Sequence, residues 1–202
     1  MQARALTAYE LFCRKGDRLL FGSLDLAMDR GDAIHLNGPN GIGKTSLIRI
    51  LAGLLPPSPT GLPKGCASVG NVRWQGTVAL LDHNLALDEH LSLGKALEFW
   101  RAIDDASDED ISRLGLASLL DVPVRYLSTG QRKRAALARL LGQKADNWLL
   151  DEPLNGLDTA GVQLVESLIA EHCAKGGTLV IASHQPIKLP PAHVIDLADH
   201  AA

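Results

Sequence analysis

Residues 38–45 read Gly-Pro-Asn-Gly-Ile-Gly-Lys-Thr, the spacing of a phosphate-binding loop. Residues 33–36, just before it, read as a short strand. Beyond it, Leu47, Ile48, Leu51, Leu54 and Leu55 recur at helical spacing over residues 46–55. A strand, a glycine-rich loop and a helix in that order are what the chemistry requires. Gly38, Gly41 and Gly43 let main-chain N–H groups converge on phosphate oxygens, and the helix adds its positive N-terminal end. Lys44 is placed to reach β- and γ-phosphates, and the Thr45 hydroxyl to ligate Mg²⁺. The expected nucleotide-binding segment is therefore Gly38, Pro39, Asn40, Gly41, Ile42, Gly43, Lys44 and Thr45, with Ser46 following. Chance coincidence of the four fixed positions is on the order of 10⁻⁵ to 10⁻⁴ per site at ordinary residue frequencies.

Around that loop the pattern is α/β. Residues 4–11, 18–21, 78–81, 148–150 and 178–183 read as strands, and residues 161–173 as a helix. Pro56-Pro57-Ser58-Pro59 is expected to stop the first helix, followed by a turn region to Gly65. Residues 93–103, 109–120 and 131–141 carry helical periodicity with no strand between them. The expectation is one domain, with a core over 1–83 and 142–202 and a helical insertion over about 84–141. The acidic run at 104–110 reads as a solvated loop with helix-start acids rather than a metal site.

Composition removes several classes. The 202 residues are 46% hydrophobic and 21% charged, which suits a packed fold and excludes a disordered or collagen-like chain. The net charge of −3 argues against a nucleic-acid partner held through phosphates. Cys13, Cys66 and Cys173 form no CxxC pair, so neither a zinc site nor a disulfide framework is expected. No apolar run approaches the roughly 18 residues of a membrane span, and the first residues lack an apolar segment of signal-peptide length. The chain reads as cytosolic and reduced.

Two further segments carry chemistry. Trp148-Leu149-Leu150-Asp151-Glu152-Pro153 is an apolar strand ending in two carboxylates. At the carboxyl edge of a parallel sheet, Asp151 suits Mg²⁺ and Glu152 suits orienting and deprotonating an attacking water. Alone, the pair is an ordinary turn; beside a phosphate loop it is a site. Leu127-Ser128-Thr129-Gly130-Gln131 opens a helix, with Ser128 as N-cap and Gly130 admitting close backbone approach. Its basic first turn, Arg132-Lys133-Arg134, opposes the helix dipole. Either this is a capped helix only, or its end meets a polyanion.

Taken together, these residues resemble the ABC transporter ATPases. Walker A lies at residues 38–45, the signature at 127–131, Walker B at 148–152 and a D-loop at 154–158, with Ser183-His184 after the last expected strand. The resemblance covers nearly the whole chain. It implies a RecA-like P-loop core with N-terminal antiparallel strands and an inserted helical subdomain, and ATP hydrolysis with Mg²⁺. It also implies a head-to-tail homodimer in which Ser128, Gly130 and Gln131 complete the partner's ATP site, and a γ-phosphate contact for His184. The phrases at residues 14–21, 37–41 and 45–54 are similar to a narrower group, the ATP-binding subunits of the cytochrome c biogenesis (haem exporter) system. That likeness implies a peripheral subunit on the cytoplasmic face of the bacterial inner membrane, bound to a multispanning permease and serving haem delivery.

Two positions depart from the general ABC pattern. His83, in Leu80-Leu81-Asp82-His83, stands where most members have the Q-loop Gln, so it is either a site residue or a surface-turn histidine. The adenine-stacking aromatic is missing, and Arg14 is the candidate to stack through its planar guanidinium. A metabolite kinase would leave the signature unexplained. A soluble ABC ATPase acting on ribosomes or DNA usually carries two ATPase units or long coiled coils, and this chain reads as having neither. No CxxCH or Cys-Pro sequence suggests direct haem binding.

Overall fold

The computed structural model describes residues 4–59, 70–104 and 107–201. The turn region expected over 60–65, Cys66, and Asp105 of the acidic run lie outside the described residues. The chain opens with an antiparallel ribbon of β1 (Leu6–Lys15) and β2 (Arg18–Met28), turned at Gly16-Asp17; with β4 (Asn71–Trp74) on the other side of β1 it makes a three-stranded sheet. A second, parallel sheet holds β3 (Ala33–Asn37), β5 (Val78–Leu81), β6 (Asn147–Asp151), β7 (Thr178–Ala182) and β8 (Ala192–Asp196) in the order β5-β6-β7-β3-β8.

The parallel sheet is buried on both faces, which is why its central strands are continuous apolar runs rather than alternating ones. On β6, Trp148 and Leu150 enter one core while Leu149 enters the other; Leu179 and Ile181 of β7 stand opposite Val180 and Ala182 in the same way. One core is closed by α1 (Lys44–Leu51) and the antiparallel sheet. The other is closed by α2 (Leu93–Arg101), α3 (Asp108–Arg113), α4 (Thr129–Gly142) and α5 (Thr159–Ala174). This order puts the carboxyl ends of β3, β6 and β7 at one edge of the sheet, the crevice where open α/β folds take ligands.

The α/β class and the antiparallel N-terminal strands agree with the sequence reading. Several elements differ in extent. The first helix ends at Leu51, not 55, because Gly53 turns left-handed at φ +73°. The helix expected over 109–120 is α3 and a separate 3₁₀ turn at Ala117–Leu119, broken at Gly115 with φ +67°. Two strands, β4 and β8, went unread, and β8 rather than residues 178–183 is the last strand of the parallel sheet. Ser107 caps α3 in a reciprocal pair with Asp110, so the acids at 108–110 occupy a helix start. No helix among the described residues is long and apolar enough to cross a membrane.

Candidate active site

The phosphate loop is shaped by crowding as well as by backbone freedom. Gly38 sits at φ +127° and Gly43 at φ +118°. A Cβ on Gly43 would stand 3.0 Å from the Phe21 ring and 3.3 Å from Leu20, so the β1–β2 hairpin packs directly against the loop. Lys44 is buried, and its Nζ donates to the carbonyls of Gly38 at 2.6 Å and Pro39 at 3.3 Å. No side chain caps α1, which leaves its first N–H groups for a ligand or water.

Beside the loop lies a cavity of about 560 Å³ whose wall includes Lys15, Leu20, Lys44, Asp151, Glu152 and His184. Arg14 is exposed and does not line it; Lys15 and Leu20 of the same hairpin do. The register explains this, because successive residues of a strand face opposite ways. Glu152 follows β6 at φ +49°, a region that costs a non-glycine residue strain and clusters at functional sites. Its N–H donates to the Ala182 carbonyl at 2.9 Å, and His184 Nδ1 donates to its Oε2 at 2.8 Å.

Asp151 fits a hard cation. Its side chain is 6% exposed, and burial pushes its carboxyl above the usual range, an effect the Thr45 hydroxyl partly offsets by donating a hydrogen bond. Oδ1 is buried with no hydrogen-bond partner, an orphan acceptor that a cation would satisfy. No cluster of three or more His, Cys, Asp or Glu side chains occurs among the described residues. One carboxylate and one hydroxyl are the usual protein share of a Mg²⁺ site completed by substrate phosphates.

At the start of α4, Ser128 Oγ accepts from the Gln131 N–H at 3.2 Å while Gln131 Oε1 accepts from the Ser128 N–H at 2.8 Å, a closed capping box. A Cβ on Gly130 would lie 2.9 Å from the Gly156 carbonyl, so the close approach expected there is to the turn after Walker B in the same chain. Ser128, Gly130 and Gln131 do not line the phosphate-loop cavity of their own chain. A second cavity of about 460 Å³ adjoins it, and His83, exposed there, faces it together with Thr45, Thr129, Lys133, Asp151 and Glu152.

Residues 21–155 match the ABC transporter family, a stretch that runs from β2 through Walker A, His83, the signature and Walker B. The chain belongs to that family. Among curated ABC proteins it is similar to the cytochrome c biogenesis ATP-binding export protein CcmA of Novosphingobium aromaticivorans, 54% identical over 189 residues that cover 94% of this chain and 93% of that one. The CcmA of Sphingopyxis alaskensis is 46% identical over 182 residues, covering 88% and 89%. Among solved structures, the ATP binding subunit of an ABC transporter superposes with a TM-score of 0.74 at 19% identity, covering 89% of this chain and 79% of that one; this carries the fold.

The basic residues Arg132, Lys133 and Arg134, near the start of the signature helix α4, have partners inside the chain. Arg132 donates to the carbonyls of Leu127 and Arg125, Lys133 to that of Glu152 at 3.2 Å, and Arg134 to the Asp158 carboxylate at 3.4 Å. Sequence reasoning read Lys133 only as charge, and nothing in its spacing signals burial. It also passed over Asn155, which lines both cavities and whose Oδ1 accepts from Gln185 Nε2 at 3.3 Å. Asn155 stands inside the D-loop, so that motif was the available signal.

Proposed function

We propose that this chain is the ATP-hydrolysing subunit of a bacterial membrane ABC complex that serves cytochrome c biogenesis, coupling ATP hydrolysis to export or delivery of haem. The similarity to proteins named CcmA supports the biological role. The observation that carries the chemistry is Glu152, held by His184 at 2.8 Å on the rim of the phosphate-loop cavity.

In this reading the loop from Gly38 to Thr45, with Ser46, receives the phosphates and Lys44 turns from its own carbonyls onto them. Thr45 and Asp151 would hold Mg²⁺, which supplies charge neutralisation at the β- and γ-phosphates. Glu152 orients a water and accepts its proton, while His184 holds the carboxylate and contacts the γ-phosphate. Ser128, Gly130 and Gln131 complete the site of a second copy, which accounts for their standing off the cavity of their own chain. The helical subdomain is assigned to about 84–141 and the core to 1–83 and 142–202. The partner is an integral permease, with this chain peripheral on the cytoplasmic face of the inner membrane.

Glu152→Gln tests the reading, because it keeps the shape and removes the base. Turnover should fall by about 10²-fold or more, the usual worth of a general base, while ATP affinity holds and an ATP-bound dimer accumulates. Turnover near that of the unaltered protein would remove Glu152 from the role.

A further inference from the structure

The peptide that carries Glu152 is fixed from several directions. Its N–H donates to Ala182 on β7, and its carboxylate accepts from His184 just beyond that strand. Its carbonyl accepts from the Asn155 N–H at 3.4 Å and from Lys133 Nζ at 3.2 Å. Of these four contacts only Lys133 comes from the helical segment. Its side chain leaves the second turn of α4 and is 8% exposed, so the ammonium is withdrawn from water. A left-handed backbone at a residue with a Cβ persists only where its surroundings over-determine it. Burial pushes the Lys133 ammonium below its usual range, and Asp151, Asp82 and Glu152 pull it back in part.

We propose that Lys133 is a positioning residue for ATP hydrolysis: by donating to the Glu152 main-chain carbonyl from the signature helix of the same chain, it holds the Glu152 peptide in its left-handed turn and keeps the carboxylate aimed at the phosphate loop. The inference rests on Glu152 being the base. Lys133 touches no reacting atom in this arrangement. Its work is geometric, and a displacement of α4 reaches the base through one charged hydrogen bond.

The test compares Lys133→Met, which keeps the apolar stem and removes the donor, with Lys133→Gln, which keeps an N–H donor without the charge. In the full chain with MgATP, Lys133→Met should lower kcat by about tenfold with KM and ATP affinity within about twofold, since a misplacement of about 1 Å costs up to about 10²-fold. Lys133→Gln should recover most of that loss. In a Glu152→Gln background, Lys133→Met should add nothing to the residual rate, because it acts through the missing base. A kcat for Lys133→Met within twofold of the unaltered protein overturns the proposal, as do equal losses in the Met and Gln variants. So does a joint fall of kcat and ATP affinity, or failure of both variants to fold, which makes Lys133 a packing residue. Near-normal turnover in Glu152→Gln alone is a separate failure, of the base assignment itself.

Discussion

Lys44 directs its ammonium back onto Gly38 and Pro39, so the loop is braced by the cation that a nucleotide would draw away. Replacing those two carbonyls by phosphate oxygens exchanges neutral acceptors for charged ones, which attract the ammonium more strongly. Lys44→Ala should therefore weaken ATP binding by roughly tenfold or more, with the fold intact because Gly38 and Gly43 keep the loop's shape. Calorimetry on the isolated chain measures it, and unchanged affinity would withdraw the phosphate-loop assignment. At this scale the sequence was informative where a residue's type is its function. The loop, the Asp151-Glu152 pair and the Ser128 cap could all be read directly. It was silent where a partner decides the role: Gly43 has a second reason to be glycine in the Phe21 ring, and Lys133 lies against a carbonyl nineteen positions away in sequence.

Elements were legible in proportion to their burial. All five residues of β6 and of β7 are buried, and those strands stand out as apolar runs. The edge strands β4 and β8 are half exposed and mix polar with apolar residues, so nothing but their neighbours identifies them. Where β6, α5 and β7 meet, His172 stacks flat on Trp148 with centroids 3.9 Å apart, and its Nε2 donates to the Thr178 carbonyl at 3.2 Å. Burial pushes this imidazole below the ordinary value of 6.5, with the Thr178 carbonyl and Asp146 pulling it back in part. A histidine depressed in the folded state is protonated more readily in the unfolded chain. Its contribution to stability is then complete above pH 6.5 and is lost as pH falls below that value. Urea midpoints should drop between pH 7.5 and 5.5, and His172→Phe, which keeps the stack without the titrating ring, should flatten that drop. An equal drop in the variant would place the acid sensitivity elsewhere.

At the scale of the whole molecule, the segment after β5 is where the nucleotide site and the helical layer share fastenings. His83 faces the cavity that also exposes Asp151 and Glu152. Two and three residues later, the Leu85 carbonyl accepts from Arg139 on α4 at 3.3 Å, and the Ala86 carbonyl accepts from Trp100 on α2 at 2.8 Å. Arg139 in turn lies 3.7 Å over the Trp100 ring, so the two anchors also touch each other. A membrane partner that shifts α2 or α4 would thus displace residues 83–86 against a core held by its own sheet. The sequence placed His83 before the helices but gave no sign of Arg139 and Trp100, which tie α4 and α2 to the segment beside it. His83→Ala should lower partner-stimulated ATP turnover more than the basal turnover of the isolated chain. A coupling loss of about 1 kcal/mol corresponds to roughly fivefold in the stimulated rate. ATP affinity should change little, because Lys44, Thr45 and Asp151 remain. Both rates are to be measured in one membrane preparation, with and without the membrane partner. Equal fractional effects on the two rates, or none, would leave His83 as a surface-turn histidine.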